Sequence, residues 1–288
     1  MSNKRKESHS IYRLAFLRFR RNRLAVIGVM IIVFLILFAI IGPVLTRYSY
    51  YEQNLDNAFQ TPSSRSLLGT DQLGRDLLTR TMYGARISLA VGIVASLISL
   101  IIGVAYGGIS GYLGGKVDMI MMRFVDILYG IPLTLFVIVL MVLFKPGLTN
   151  IFIALGVVYW LNMARIVRGQ VLSLKERDYV SAVKSLGASD IRIIFLHIIP
   201  NLIGPVIVTL TFNIPEAIFT ESFLSYIGLG VSAPMASWGS LAAEGTIAIR
   251  TAPHLLFFPA LGISVTMLAF NFVGDGLRDA FDPRMIES

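Results

Sequence analysis

The feature that most constrains the fold is an apolar run over residues 24–45 that contains no charged side chain. A helix of about 20 apolar residues crosses a hydrocarbon core of roughly 30 Å, so this run predicts a membrane span. Five further apolar segments predict spans at residues 87–112, 119–144, 151–167, 202–227 and 255–273. Only 15% of the residues are charged and the mean hydropathy is +0.73, too apolar for a soluble globule of this length. The sequence predicts an all-α membrane protein with six transmembrane helices.

The distribution of Lys and Arg predicts which side of the membrane each segment occupies. With the N-terminus inside, the inner segments hold 18 of the 25 Lys and Arg residues and the outer segments hold 7. Cytoplasmic loops carry the excess of positive charge in membrane proteins, so both termini are predicted to lie in the cytoplasm. The membrane is predicted to be the bacterial inner (cytoplasmic) membrane. The net charge of +8 is explained better by this topology than by nucleic-acid binding.

These spans divide the chain into five predicted parts. They are a basic amphipathic cytoplasmic segment (1–23), the first span (24–45), an extracellular segment (46–86), a five-helix core (87–275) and a cytoplasmic tail (276–288). Within residues 11–23, Tyr12, Phe16 and Phe19 recur at helical spacing among arginines. Such a helix beside a span is predicted to lie on the inner membrane face, with its arginines toward anionic head groups. A nucleic-acid-binding segment is the weaker alternative.

The longest polar interruption in the second half of the chain is DYVSAVKSLGASDIRIIFLHIIPN, residues 178–201. Tyr179, Val183 and Leu186 recur at helical spacing, which predicts a short amphipathic helix. The small side chains beside this stripe are Ser181, Ala182 and Ser185. A partner surface can approach a helix closely over small side chains, so the pattern indicates a docking element.

The residues that follow predict a turn and a second helix. Gly187 can end the first helix, because glycine adopts the left-handed conformation without steric cost. Ser189 or Asp190 can cap a second short helix, which is predicted to stop before Pro200.

This spacing resembles the EAA motif of the membrane permeases of binding-protein-dependent ABC importers. Ala182, Gly187 and Pro200 match the motif, and the departures from it are Ser181, Val183, His197 and Ile199. The resemblance implies that residues 173–200 form the coupling-helix loop, which docks in a groove of a cytoplasmic ATPase subunit. The ATPase-coupling residues it implies are Ser181, Ala182, Ser185, Gly187, Ala188 and Pro200. An ordinary connector beside the membrane is the alternative.

Several other blocks extend the resemblance over almost the whole chain. LGTDQLGRDLLTRTMYGARISL, ARIVRGQVL, SFLSYIGLG and GDGLRDAFDPR are similar to the oligopeptide, dipeptide and nickel importers, specifically to the second of their two permease chains. The resemblance implies the type I permease fold of ABC importers and alternating access. It also implies four kinds of partner: a second permease chain, two ATPase subunits that bind ATP and Mg, an extracellular or periplasmic binding protein, and the membrane. The cargo, whether dipeptide, oligopeptide, nickel or another solute, stays open.

Glycines recur at every fourth residue at the inner end of the second predicted span. They are Gly103, Gly107, Gly111 and Gly115. In lipid, such a stripe lets two helix backbones approach closely, so it predicts tight packing on another helix. An irregular helix end near Gly115 is the alternative.

Two acidic residues in the fifth predicted span are candidates for the translocation path. Glu216 and Glu221 have no evident partner in the local sequence, and ionisable side chains inside a membrane are costly. We expect them to face the path and meet the amino end of a peptide or a cation, unless they already lie at the water boundary. Trp238 lies in a Gly- and Pro-rich outer segment, residues 228–253, that is predicted to reach the mouth of the path.

The third predicted span holds an ion pair and a proline. Arg123 and Asp126 lie three residues apart, which favours a pair within one helix. Pro132 lies inside the span and predicts a kink.

Missing motifs separate the functional classes. No G-x-x-x-x-G-K-[ST] motif occurs, so ATP is not bound by the P-loop route and the energy source is predicted to be another subunit. His9, His197 and His254 are scattered and there is no Cys, so no cofactor or metal site is predicted and the chain is not expected to be an enzyme. The alternative function is a self-sufficient secondary transporter or channel, for which inverted repeats would be expected.

Overall fold

The structure, a computed structural model, describes residues 11–282, with the side chains from residue 13 onward. Residues 1–10 of the predicted basic segment and 283–288 of the predicted tail lie outside this range. The helices are α1 (Ile11–Arg21), α2 (Arg23–Leu45), α3 (Leu77–Leu113), α4 (Gly115–Tyr129), α5 (Leu133–Phe144), α6 (Leu148–Lys175), α7 (Asp178–Ser185), α8 (Asp190–Ile193), α9 (Ile199–Tyr226), α10 (Trp238–Ile247) and α11 (His254–Phe281). A short 3₁₀ turn (Leu55–Asn57) and a π-helical turn (Ile194–Ile198) complete the described secondary structure.

Within residues 11–282, five helical segments are long and apolar enough to cross a membrane: α2, α3, α6, α11 and the continuous segment Asp190–Tyr226. The pair α4 and α5 makes a sixth span when the two are counted together. The predicted all-α architecture with six spans is therefore confirmed.

The third span is broken rather than kinked. The axes of α4 and α5 differ by 82°. Pro132 has no N–H to donate and disfavours helical geometry at the preceding residue, and Gly130 places no side chain in the turn. The chain therefore leaves the helix after Tyr129 and begins a new one at Leu133. The kink predicted at Pro132, within the span at residues 119–144, is therefore a break between two helices.

Helix α3 lies at the centre of the bundle. Its most extensive contact is with α6, and it also packs on α9 and α2. Helices α2 and α11 run antiparallel: Gly28 of α2 lies against Ala269 and Val273, whereas Ala25, one turn earlier, lies against Gly276. Helices α7 and α10 lie at opposite ends of the bundle. We call these the α7 end and the α10 end.

An ionic cluster ties the segment before α3 to α10. Asp71 accepts hydrogen bonds from Arg75 Nε and Arg80 Nη1, both at 2.6 Å, and Glu244 of α10 accepts from Arg80 Nη2 at 3.0 Å. Asp76 caps α3 by accepting from the Thr79 N–H at 2.8 Å. Because these charges are paired and the helix is capped, α3 begins well before the predicted span at residue 87.

The helical path that begins with α8 does not stop before Pro200, which corrects the prediction. The helical path runs from α8 through the π-helical turn into α9, and Pro200 lies in the first turn of α9. In the wider turn, the N–H of Ile199 reaches the carbonyl of Ile194, five residues back. This local widening accommodates a residue that cannot donate an N–H, so the proline does not end the helix.

The predicted outer loop, residues 228–253, contains α10. Ser237 and Ser240 form a capping box at the start of this helix. The N-terminus of α10 is buried against α3, α9 and α11, where Gly239 packs on the backbone of Ser222. This segment is therefore partly helical, and the start of α10 lies inside the bundle.

Candidate functional site

The polar interruption forms the predicted helix, turn and helix. Helix α7 ends at Ser185, and Gly187 follows with a φ of +82°, in the left-handed region. The Gly187 N–H donates to the carbonyl of Lys184 at 3.0 Å. Ser189 then caps α8 by accepting from the N–H of Arg192 at 3.4 Å. We call residues 178–193, from α7 through α8, the elbow.

The elbow presents small and apolar side chains on its surface. Of the predicted coupling residues, Ser181, Ala182, Ser185 and Gly187 are exposed, and Ala188 and Pro200 are half-buried. Leu186 is 87% exposed and Tyr179 is 40% exposed. The buried position of α7 is Val180, and of the predicted apolar stripe only Val183 packs on the bundle, half-buried.

The inner face of the elbow is fixed to three spans. Val180 belongs to a buried cluster whose other members are Tyr112, Met163, Val167, Val171, Ile193, Ile198 and Leu202, from α3, α6, α8, the π-helical turn and α9. The Tyr112 hydroxyl also donates to Asp190 Oδ1 at 2.5 Å. The elbow is therefore joined by buried packing to the ends of α3, α6 and α9.

Three of the four predicted packing glycines lie in the contact between α3 and α6. A Cβ at Gly103 would lie 2.5 Å from Met163 Cβ, and one at Gly107 would lie 2.3 Å from the carbonyl oxygen of Ala164. Gly111 similarly contacts the backbone of Arg168. The packing role does not extend to Gly115, where an added Cβ would meet nothing within 4 Å and where φ is +56°. Gly115 instead starts α4 in a conformation that favours glycine.

Two ion pairs connect α4 to α6. Asp118 accepts from Arg168 Nε at 2.9 Å and from Arg168 Nη2 at 2.5 Å, a two-point contact. Asp126 accepts from Arg165 Nη2 at 2.6 Å. The predicted pair of Asp126 with Arg123 is therefore wrong. An acidic side chain on an exposed helix face pairs with a neighbouring helix when that helix offers a closer cation.

The two candidate acids of the path have different surroundings. The side chain of Glu216 is exposed, whereas Glu221 is fully buried. Ser88 of α3 donates to Glu221 Oε2 at 3.1 Å, and Ser225 donates to Glu221 Oε1 at 2.6 Å. Glu221 thus has partners that the local sequence did not reveal, and in this conformation its carboxylate does not reach a surface.

Trp238 is also fully buried. It lies between two glycines, with Cδ1 3.2 Å from the position of a Cβ on Gly84 and Cε2 2.9 Å from one on Gly262. Its indole N–H donates to the carbonyl of Thr81 at 3.1 Å, and its backbone N–H donates to Ser88 Oγ at 3.3 Å. These contacts anchor α10 to α3 and α11, and the expected place of Trp238 at the mouth of the path remains a prediction.

The sequence reasoning missed the ionic cluster and the serine network. The block LGTDQLGRD, which places Asp71, Arg75 and Asp76 close together, was an available signal for the cluster. No local signal connects Ser88 with Glu221, because the two are 133 residues apart.

The comparisons with known proteins agree with this architecture. Residues 103–287 match the family described as binding-protein-dependent transport system inner membrane component, and residues 10–62 match the N-terminal TM domain of oligopeptide transport permease C. The oligopeptide transport system permease protein OppC of Bacillus subtilis (strain 168) is 53% identical over 97% of this chain and 92% of its own length. The dipeptide transport system permease protein DppC of the same organism is 52% identical over 94% of this chain and 85% of its own. OppC of Escherichia coli (strain K12) is 45% identical over 96% of this chain and 93% of its own.

A solved structure shows the same fold. The inward-facing MetNI methionine ABC transporter matches with a TM-score of 0.58 and 17% identity, over 71% of this chain and 96% of that chain. The family sets aside the alternative of a self-sufficient transporter or channel, and it makes the chain a non-catalytic membrane subunit. This chain therefore belongs to the family of binding-protein-dependent transport system inner membrane components, as a permease related to the oligopeptide and dipeptide permeases.

Proposed function

We propose that this chain, together with a homologous second permease chain, forms the path by which peptides enter the cell. An extracellular or periplasmic binding protein delivers the peptide at the α10 end. Two ATPase subunits, which bind ATP and Mg, dock at the α7 end, and this chain itself needs no cofactor. The peptide cargo is supported by relatives that are named as oligopeptide and dipeptide permeases and that resemble this chain over nearly its whole length.

The single observation that carries the proposal is the two-sided character of the elbow. Its outer side exposes Leu186 and Tyr179 between small side chains, an apolar surface that a docked ATPase subunit would cover. Its inner side is buried through Val180 against the spans. A surface that binds a partner and a core that joins it to the bundle are the two parts that a coupling element requires.

In this mechanism, the ATPase subunits close on ATP and move the elbow. The elbow displaces the attached ends of α3, α6 and α9, and the path opens alternately to either side. Glu216, exposed on the half of α9 nearer the α10 end, is the acid that we place in the path, where it meets the amino end of the peptide. The buried Glu221 and Trp238 remain candidates for contact with cargo only in a conformation that opens the α10 segment.

The test is the recruitment of the ATPase subunits. We expect Leu186→Asp to abolish their copurification with the permease, since a carboxylate in an apolar contact is desolvated without a partner. Leu67→Asp is the matched control: Leu67 is 63% exposed in the segment before α3, at the opposite end of the bundle. This control should retain the ATPase subunits. Equal recovery of the ATPase subunits with both variants would place their dock elsewhere.

A further inference from the structure

Helix α1 carries an exposed face that no other part of residues 13–282 covers. Arg13, Phe16, Leu17 and Arg20 lie at positions i, i+3, i+4 and i+7, and all four are exposed, with Phe16 at 62%. Residues at this spacing share one side of a helix. We call this set the α1 face. It combines two cations with two apolar side chains, one of them aromatic.

The opposite side of α1 is fixed to the bundle. Ala15 is buried, and Phe19 lies against α11, where a Cβ on Gly276 would be 3.2 Å from Phe19 Cε2. The same Cβ would be 2.3 Å from Ala25 Cβ in the first turn of α2. The last turns of α11, the start of α2 and the end of α1 therefore meet at one point, so the orientation of the α1 face is set by packing.

This point lies where the apolar span of α2 begins. Asn22 leaves the helical conformation, with ψ at 106°, and its side chain caps α2 by accepting from the Ala25 N–H at 3.2 Å. The uncharged apolar part of α2 begins directly after Arg23. A single non-helical residue thus separates α1 from a membrane span, and α1 cannot be far from the lipid head groups.

We infer that the α1 face binds anionic phospholipids of the leaflet at the α7 end. Phe16 and Leu17 enter the region between head groups and acyl chains, while Arg13 and Arg20 extend toward lipid phosphates. Charge complementarity and the distance to α2 favour a lipid surface over a second protein. Through the contact of Phe19 with Gly276, the bound leaflet holds the end of α11 in place.

The test uses the full chain in vesicles. Because the chain has no natural cysteine, a single introduced cysteine can be labelled selectively. Leu17→Cys, labelled with an environment-sensitive fluorophore, reports whether the α1 face enters the membrane. We expect a blue-shifted emission in vesicles of phosphatidylcholine with phosphatidylglycerol, a smaller shift in phosphatidylcholine alone, and a loss of the difference at high salt. Inorganic phosphate in solution should not produce the shift.

Two charge variants of the labelled chain decide the proposal. R13Q/R20Q should lower the equilibrium constant for binding of the α1 face to phosphatidylglycerol-containing membrane roughly 30-fold. Each arginine near an anionic surface contributes about a fivefold factor to this constant. R13K/R20K keeps both charges and should behave as the parent chain, which controls for folding. The same emission in both lipid mixtures, or an R13Q/R20Q variant that retains the preference, would overturn the inference. Burial of the label only when the ATPase subunits are present would overturn it as well, since the occupant would then be protein.

Discussion

Glu221 shows how an acidic side chain is accommodated within a membrane-spanning helix. Ser88 and Ser225 donate to its two oxygens, and each hydroxyl accepts in turn from the start of α10, through the Trp238 N–H and the Ser237 hydroxyl. Each hydroxyl has a single hydrogen, so the direction of every bond in this network points to the carboxylate. Glu221 therefore terminates the hydrogen bonds that hold α10 against α3 and α9.

Replacing Glu221 should destabilise the bundle, and the loss should depend on how many hydrogen bonds the new side chain can accept. Glu221→Leu removes both acceptors and leaves buried hydroxyls without partners, which we expect to cost about 1–3 kcal/mol of unfolding free energy. Glu221→Gln keeps one carbonyl oxygen and should cost less. Thermal unfolding of the detergent-solubilised chain measures both effects. Glu216→Gln, at an exposed position of the same helix, is the control and should leave the unfolding temperature unchanged.

Two readouts separate this structural role from a role in the path. A Glu221→Leu chain as stable as the parent would contradict the network. A Glu221→Gln chain of parental stability that has lost uptake would assign the carboxylate to the cargo instead. Uptake that stays unchanged in the combined Gln variant of both acids would remove them from the path.

The adjacent glycines 107 and 108 allow a matched test of the contact between α3 and α6. A methyl group at Gly107 would lie 2.3 Å from the Ala164 carbonyl oxygen, whereas one at Gly108 would meet nothing within 4 Å. We expect Gly107→Ala to cost about 1–3 kcal/mol through overpacking, and Gly107→Leu to prevent assembly. Gly108→Ala should be neutral or stabilise the helix slightly, because alanine has the higher helix propensity. Equal unfolding temperatures for the two alanine variants would contradict the close approach.

At the scale of elements, the elbow depends on one backbone conformation. Gly187 has φ at +82°, and its Cβ position is open, so a substitution there acts through the backbone and not through a clash. Gly187→Val should therefore distort the turn, and we expect it to lower uptake and substrate-stimulated ATP hydrolysis while membrane insertion stays normal. Gly187→Asn tolerates the left-handed region better and should retain more coupling. Full coupling in the valine variant would contradict the role of the turn.

Local patterns predicted the elements whose causes are local. The apolar run of α2, the glycine turn after α7 and the glycine stripe of α3 are each visible in a short stretch of sequence. Pro132 predicted only a kink, whereas the structure has a full break. Gly130, two residues before the proline, ends α4 and adds to the effect of the proline. The passage of the helix through Pro200 needed a π-helical turn, and no pattern in single residue types indicates one.

The burial of α10 and the pairing of Asp126 were not predictable in the same way. Trp238 is buried because Gly84 and Gly262, from two different helices, leave space for its ring. Asp126 pairs with Arg165, 39 residues away. Such contacts depend on the arrangement of helices, which hydrophobic periodicity does not determine.

At the scale of the whole molecule, the surface of the bundle is apolar. Large exposed side chains occur along α2, α4 and α5, with Val44 at 79% and Ile127 at 70%. A surface of this kind is stable only when lipid or another apolar chain covers it. We expect lipid to cover α2, which packs on the bundle along one side only. We expect the proposed second permease chain to cover the broken span of α4 and α5. The orientation of this assembly in the membrane then decides which end meets ATP.

That orientation predicts opposite labelling of two leucines by a membrane-impermeant maleimide. The chain has no natural cysteine, so Leu67→Cys and Leu186→Cys each provide a single reactive site at opposite ends of the bundle. The excess of Lys and Arg at the α7 end predicts that this end faces the cytoplasm. We therefore expect Leu67→Cys to react in intact cells and Leu186→Cys to react only after the membrane is permeabilised. Arg177→Cys, exposed where the elbow begins, gives a second site if the ATPase subunit covers Leu186. Labelling at residue 186 or 177 from outside would mean that all six spans have the opposite orientation. The elbow would then lie outside the compartment that supplies ATP.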